Sequence, residues 1–171
     1  MKKIFLVGLP GSGKSTLGRQ LGEFLSLKFI DLDVEIEKVE GKRIKDIFHE
    51  QGEQLFRKIE HDTFLQFIEN NQSFILATGG GTPCFFDHME RMNKSGLTVY
   101  LSTPVEMIVE RIKENEDRPL MEGVDVRTKI SSLLEDREQF YKKAALRLEA
   151  WKLSFEEIKQ VIENAARSRF S

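Results

Sequence analysis

Gly8-Leu9-Pro10-Gly11-Ser12-Gly13-Lys14-Ser15-Thr16 satisfies G-x-x-x-x-G-K-[ST] and stands between an apolar run and a stretch with helical spacing. Glycines let the backbone curl until successive N–H groups face inward, and a helix start adds the positive end of its dipole. Gly11, Ser12, Gly13, Lys14, Ser15 and Thr16 are therefore expected to cradle the phosphates of a nucleotide. Lys14 would reach the β- and γ-phosphates, and the Ser15 hydroxyl would be a ligand for the accompanying Mg2+.

Other residues narrow the reaction. The third apolar run ends in Thr78-Gly79-Gly80-Gly81, where many ATPases place an acidic residue. No D-x-x-G follows, and Asn93-Lys94-Ser95-Gly96 lacks the aspartate of a guanine-reading N-K-x-D, so a GTPase switch is not expected. Asp31-Leu32-Asp33 closes the second apolar run, and period-two alternation would put both carboxylates on one side of a strand, at its C-terminal end. Ligands bind along that edge of an open parallel sheet. The pair could bind Mg2+ or accept a hydroxyl proton; alternatively, one aspartate caps the following helix and the other is solvated.

Arg57 and Glu60 are three residues apart and share a helix face, as a site pair or as a surface ion pair. The triplet Gly79-Gly80-Gly81 permits close approach of a ligand to the backbone, or is a plain loop. Arg118 lies in a polar stretch from Asn115 to Val124, where a lid arginine could neutralise a transferring phosphoryl group. Arg137 sits among charged helical residues, whose default is a solvated face. His49, His61 and His88 show no metal-ligand spacing and no nucleophilic partner, and Cys84 has no activating neighbour, so none receives a role.

The elements that must position these residues alternate. Strands are expected at Lys3–Val7, Lys28–Leu32, Ser73–Ala77 and Leu97–Leu101, with a last short one within Arg147–Lys152. Helices are expected over Ser15–Ser26, from near Val34, at Ile44–Phe48, after Gly52 to about Asn70, near Phe86–Lys94, from Pro104 to about Asn115 and over Val126–Ala145. Ser154 and Glu157 form a capping box for a C-terminal helix. Such alternation argues a parallel sheet with helices on both faces.

With 171 residues, 26 Lys+Arg against 28 Asp+Glu and 40% hydrophobic residues, the chain reads as one globular domain. The near-neutral balance argues against a nucleic-acid binder, and one cysteine excludes an internal disulfide framework. No apolar run approaches the about 20 residues of a membrane span. A cytoplasmic monomer with no membrane partner is the expectation.

Taken in order, the GLPGSGKST loop, Asp31-x-Asp33, Phe56-Arg57-x-x-Glu60, the glycine triplet, and Arg118-Pro119-Leu120 with Arg137-x-x-x-Tyr141 give the sequence a resemblance to the shikimate kinases. These belong to the nucleoside-monophosphate-kinase-like P-loop group, and the resemblance covers nearly the whole chain. It implies an α/β fold: a P-loop three-layer α/β/α sandwich with a parallel sheet of about five strands. It further implies a substrate-binding helical subdomain at about 34–65 and a lid at about 113–124. The implied activity is transfer of the ATP γ-phosphoryl to the 3-hydroxyl of shikimate, with Mg2+, in aromatic amino-acid biosynthesis.

By the same resemblance Asp33 would orient the accepting hydroxyl, and Lys14 and Arg118 would stabilise the transferring phosphoryl. Arg57 and Arg137 would hold the shikimate carboxylate, with Glu60 fixing Arg57 and Phe48 and Phe56 lining the ring. Gly79, Gly80 and Gly81 would contact the ligand, Asp31 would support Mg2+ beside Ser15, and Arg111 would stack on adenine. Gln139 stands where the family often has proline, and Trp151 lies where a small polar run is usual. The competing readings are another small-molecule kinase, such as a gluconate kinase, and a non-catalytic ATP-binding sensor.

Overall fold

Uninterrupted apolar runs make strands that are buried on both faces, and such strands belong at the centre of a parallel sheet. The computed structural model describes residues 2–114 and 125–170. In chain order it contains β1 (Lys3–Val7), α1 (Lys14–Leu25), β2 (Lys28–Asp31), α2 (Leu32–Glu40), α3 (Ile44–Glu69), β3 (Phe74–Ala77) and a 3-10 turn (Thr82–Cys84). There follow α4 (His88–Ser95), β4 (Leu97–Leu101), α5 (Val105–Glu114), α6 (Val126–Tyr141), β5 (Leu146–Leu148), a second 3-10 turn (Ala150–Lys152) and α7 (Phe155–Phe170). No helix of the described residues is long and apolar enough to cross a membrane.

The five strands are parallel in the order β2-β3-β1-β4-β5. β1, β3 and β4 are buried at every position, whereas β2 at one edge is partly exposed. Alternate side chains feed two cores. Ile4, Leu6, Ile75, Val99 and Leu101 pack with Leu17 and Leu21 of α1 and with Ile158 and Ile162 of α7. Phe5, Val7, Phe74, Leu76 and Tyr100 pack with residues of α2 to α6, including Ile36, Phe64, Met92, Ile108, Ile130 and Tyr141. This is the expected three-layer sandwich.

Several boundaries differ from those expected, each for a local reason. β2 stops at Asp31 because its carboxylate accepts from the Asp33 amide at 3.2 Å and caps α2, which begins at Leu32. Asp33 therefore lies in the first helical turn, and strand alternation does not place it. The expected turn at 44–48 and the longer helix after it form α3, broken where Gly52 takes φ 78° and ψ 170°. α4 starts at His88 because Phe86 and Asp87 adopt φ of 50° and 54°. α6 ends at Tyr141, before Ala145, in bonds from the Lys143 and Ala144 amides to the Phe140 and Tyr141 carbonyls. The expected strand at 147–152 is β5, one residue earlier, followed by the second 3-10 turn. The capping box forms as expected: Glu157 accepts from the Ser154 amide at 2.7 Å and its own amide donates to Ser154 Oγ at 3.3 Å.

From β1 the chain moves to β2 on one side, returns through β3, and crosses to β4 on the other. The strand order reverses between β1 and β3, so the loops leaving their carboxyl ends flank the crevice where ligands bind in such sheets.

Candidate active site

The loop after β1 curls because Gly8 and Gly13 take φ of 142° and 97°, a region open to glycine and strained for other residues. Gly13 also caps α1 without a side chain, which leaves the first helical amides facing the loop. Lys14 is buried and its ammonium donates to the Gly8 and Leu9 carbonyls at 2.9 and 2.8 Å. Ser12 Oγ is buried without a hydrogen-bond partner among the described residues, an arrangement that suits an incoming phosphate oxygen. Thr103 and Arg111 brace the loop, donating to the Ser12 carbonyl at 3.1 Å and the Gly11 carbonyl at 3.2 Å. Thr16 is exposed on the first turn of α1.

At the rim of this cradle Ser15 Oγ donates to Asp31 Oδ2 at 2.6 Å. A hydroxyl and a carboxylate are the hard oxygen donors that Mg2+ prefers, with water and phosphate completing its shell. These two residues fit that ion.

Asp33 is half-buried beside the triplet: a Cβ on Gly79 would lie 2.8 Å from its Oδ1. Burial, with the negative charges of Asp31 and Glu60 against the positive charge of Lys14, pushes its pKa up to about 6. That brings the carboxyl closer to a useful proton acceptor than an ordinary aspartate.

The glycine triplet is where the other groups meet. A Cβ on Gly80 would come within 2.7 Å of the Pro10 ring and 3.1 Å of Arg137 Nη1, and one on Gly81 within 2.6 Å of Arg57 Nη2. A Cβ at any of the three would force one of these neighbours to move, since real Cβ atoms do not approach so closely. Arg57 and Glu60 are both buried and paired at 2.7 Å. Rings surround the guanidinium, with Phe56 at 5.1 Å and Phe85 at 4.4 Å, and Phe48 packs on Phe56 at 4.4 Å. Arg137 projects from α6 and is half-buried.

Asp33, Arg57, Glu60, Phe48, Phe56, Arg137 and the triplet thus adjoin one another, and Pro10 links them to the phosphate cradle. Arg118 and most of the 113–124 segment lie outside the described residues. The sequence alone missed five contributors. Glu53 accepts from Arg57 Nε at 3.3 Å and Nη2 at 3.2 Å, a pair legible in its i, i+4 spacing. Thr82 donates to Glu60 at 2.6 Å, Phe85 faces Arg57, and His61 pairs with His88, none with a local sequence signal.

Fold and site together define a P-loop α/β protein of the small-molecule kinase class. The model of the family described as shikimate kinase matches residues 10–166. The chain belongs to the shikimate kinase family. It is 42% identical over 169 residues to the shikimate kinase of Parabacteroides distasonis, covering 96% of this chain and 97% of the relative. The shikimate kinase of Persephonella marina is 42% identical over 148 residues, with 86% and 88% covered. Among solved structures, that of Acinetobacter baumannii shikimate kinase in complex with shikimate superposes with a TM-score of 0.88 at 34% identity, over 98% of this chain and 94% of that one.

Proposed function

We propose that the chain transfers the γ-phosphoryl group of ATP to the 3-hydroxyl of shikimate, giving shikimate 3-phosphate and ADP. The observation that carries this reading is the convergence on the glycine triplet. It joins Asp33, which can aim a hydroxyl, to two arginines that can grip a carboxylate, within contact of the P-loop through Pro10. Family membership over nearly the whole chain supports the same substrate.

In this mechanism the P-loop amides, Ser12 and Lys14 bind the phosphates, and Lys14 exchanges its two carbonyl partners for phosphate oxygens. Ser15, supported by Asp31, would hold Mg2+, which when bound would supply positive charge to the phosphates. Arg57 and Arg137 hold the shikimate carboxylate by charge-assisted, fork-shaped bonds, and Phe48 and Phe56 bound the ring. Glu60 keeps Arg57 in place from behind. Glu53 occupies the Nε/Nη2 edge of the same guanidinium, and its exposed side chain is free to yield that edge to the substrate. Asp33 accepts the hydroxyl proton late, in a loose transition state where positioning outweighs basicity. Arg118 would add charge to the transferring group, and Arg111 would face the adenine.

The test is ADP release from Mg·ATP with shikimate, quinate, gluconate or a nucleoside monophosphate, beside a no-acceptor control. Strong stimulation by shikimate alone is expected. Turnover on another acceptor would replace the substrate, and ATP binding without turnover on any acceptor would make the chain a sensor.

A further inference from the structure

Two histidines with no place in the proposed chemistry are wired to it. His61 Nδ1 lies 2.7 Å from His88 Nε2, with the rings stacked at a centroid distance of 5.0 Å. The second nitrogen of His88, Nδ1, is 2.9 Å from the Thr82 carbonyl. A carbonyl only accepts, so His88 carries its proton on Nδ1. Its Nε2 is then the acceptor, and His61 Nδ1–H is the donor. Burial foremost, with His61, Arg91 and Arg57 nearby, lowers the pKa of His88 to about 4 against the raising effect of the Thr82 bond. The ring is neutral at physiological pH.

Thr82 passes the constraint on. Its hydroxyl donates to Glu60 Oε1 at 2.6 Å, and Glu60 Oε2 accepts from Arg57 Nη1 at 2.7 Å. His61 follows Glu60 in α3, so the bonds close a ring: Glu60 to Thr82, Thr82 to His88, His88 to His61, and back along the helix. His88 and Thr82 are fully buried and Glu60 nearly so. A wholly buried imidazole is costly unless both nitrogens are bonded, and here both are. The segment held this way begins beside Gly81, which stands against Arg57 with no room for one carbon. Small displacements of Thr82 therefore move the guanidinium.

We propose that His88, with His61 as its donor, is a positioning residue that sets the Arg57 guanidinium for the carboxylate of the substrate. This rests on the reading of Arg57 as a shikimate ligand. His88→Leu removes both bonds at similar volume. It should raise KM for shikimate roughly three- to tenfold, the worth of one or two hydrogen bonds, while KM for ATP and kcat stay within about twofold. In His88→Asn the amide donates to the Thr82 carbonyl in place of Nδ1, and most of the affinity should return. His61→Phe keeps the stacking on Phe86 and should shift KM for shikimate in the same direction, less strongly; it decides the matter if His88→Leu does not fold. Imidazole 15N NMR of the wild-type protein should show the Nδ1–H tautomer for His88. An Nε2–H tautomer, an unchanged KM for shikimate in the histidine variants, or His88→Asn as impaired as His88→Leu would overturn the proposal. Arg57→Lys separates the two readings. A raised KM there, with none in the histidine variants, removes the positioning role alone; no rise in Arg57→Lys removes the carboxylate assignment and the positioning role with it.

Discussion

The Tyr141 hydroxyl donates to the Gly80 carbonyl at 2.5 Å, tying the last turn of α6 to the middle of the glycine triplet. Arg137 lies one turn earlier on the same helix face, so this bond fixes the distance from its guanidinium to the crevice. Tyr141→Phe leaves the part-buried Gly80 carbonyl without this donor. The expected result is a loss of about 1–2 kcal/mol in stability and a several-fold rise in KM for shikimate, measured by thermal denaturation and steady-state kinetics. An unaltered KM would show that packing alone holds α6.

Gly80 and Gly81 make a contrasting pair. A methyl on Gly81 would press on an arginine pinned by Glu53, Glu60, Phe56 and Phe85. Gly81→Ala should therefore raise KM for shikimate by about tenfold or more, with KM for ATP unchanged. A methyl on Gly80 meets the Pro10 ring of the P-loop instead, and Gly80→Ala should raise both constants. Equal effects from the two variants would contradict the division of labour.

Asp33→Asn keeps the shape of the side chain and removes its capacity to take a proton. Turnover should fall on the order of a hundred- to ten-thousand-fold, with ATP affinity nearly intact by calorimetry. In the wild-type enzyme kcat/KM should show an acid limb near pH 6, where the free enzyme's Asp33 protonates. A limb near pH 4, with no inflection near 6, would mean that the carboxylate is not held in its raised state.

The same group leaves a mark on stability. A carboxyl whose pKa in the folded protein is about 6, above its ordinary 3.8, is harder to ionise folded than unfolded. The unfolded chain thus loses its proton first. The ligand-free protein loses stability as pH rises from about 4 through 6, and the full cost applies above that. Asp33→Asn should relieve it, by an amount of order 1–3 kcal/mol at pH 8 and little at pH 4. Melting curves of both proteins at the two values measure this directly; a gap that fails to widen with pH would refute it.

What the sequence disclosed follows the reach of each interaction. The P-loop from Gly8 to Thr16 is legible because its physics is local: turn glycines, a helix start and a lysine at fixed spacing. The break at Gly52 and the Ser154–Glu157 cap are legible for the same reason. Alternation carried through Leu32 puts Asp33 on a strand, whereas Asp31 caps the helix that begins there. Glu60 and Arg57 could be paired from spacing, but Thr82, 22 residues beyond Glu60, and His88, 27 beyond His61, meet them only once α4 docks on α3. Contacts of that span depend on topology and leave no periodicity in the chain.

The strand order also bears on how the protein emerges during synthesis. β1 leaves the ribosome before the other strands, yet Lys3 pairs with Phe74 and Ile4 with Leu97, so both of its neighbours arrive much later. Until then a strand with four successive apolar residues, Ile4 to Val7, has no partner on either side. The cradle is likewise braced by Thr103 and Arg111 from beyond β4, so it too is complete only once they have emerged. Completion of the sheet thus waits for β4 and β5, in the second half of the chain, and pairings of such long sequence separation form slowly.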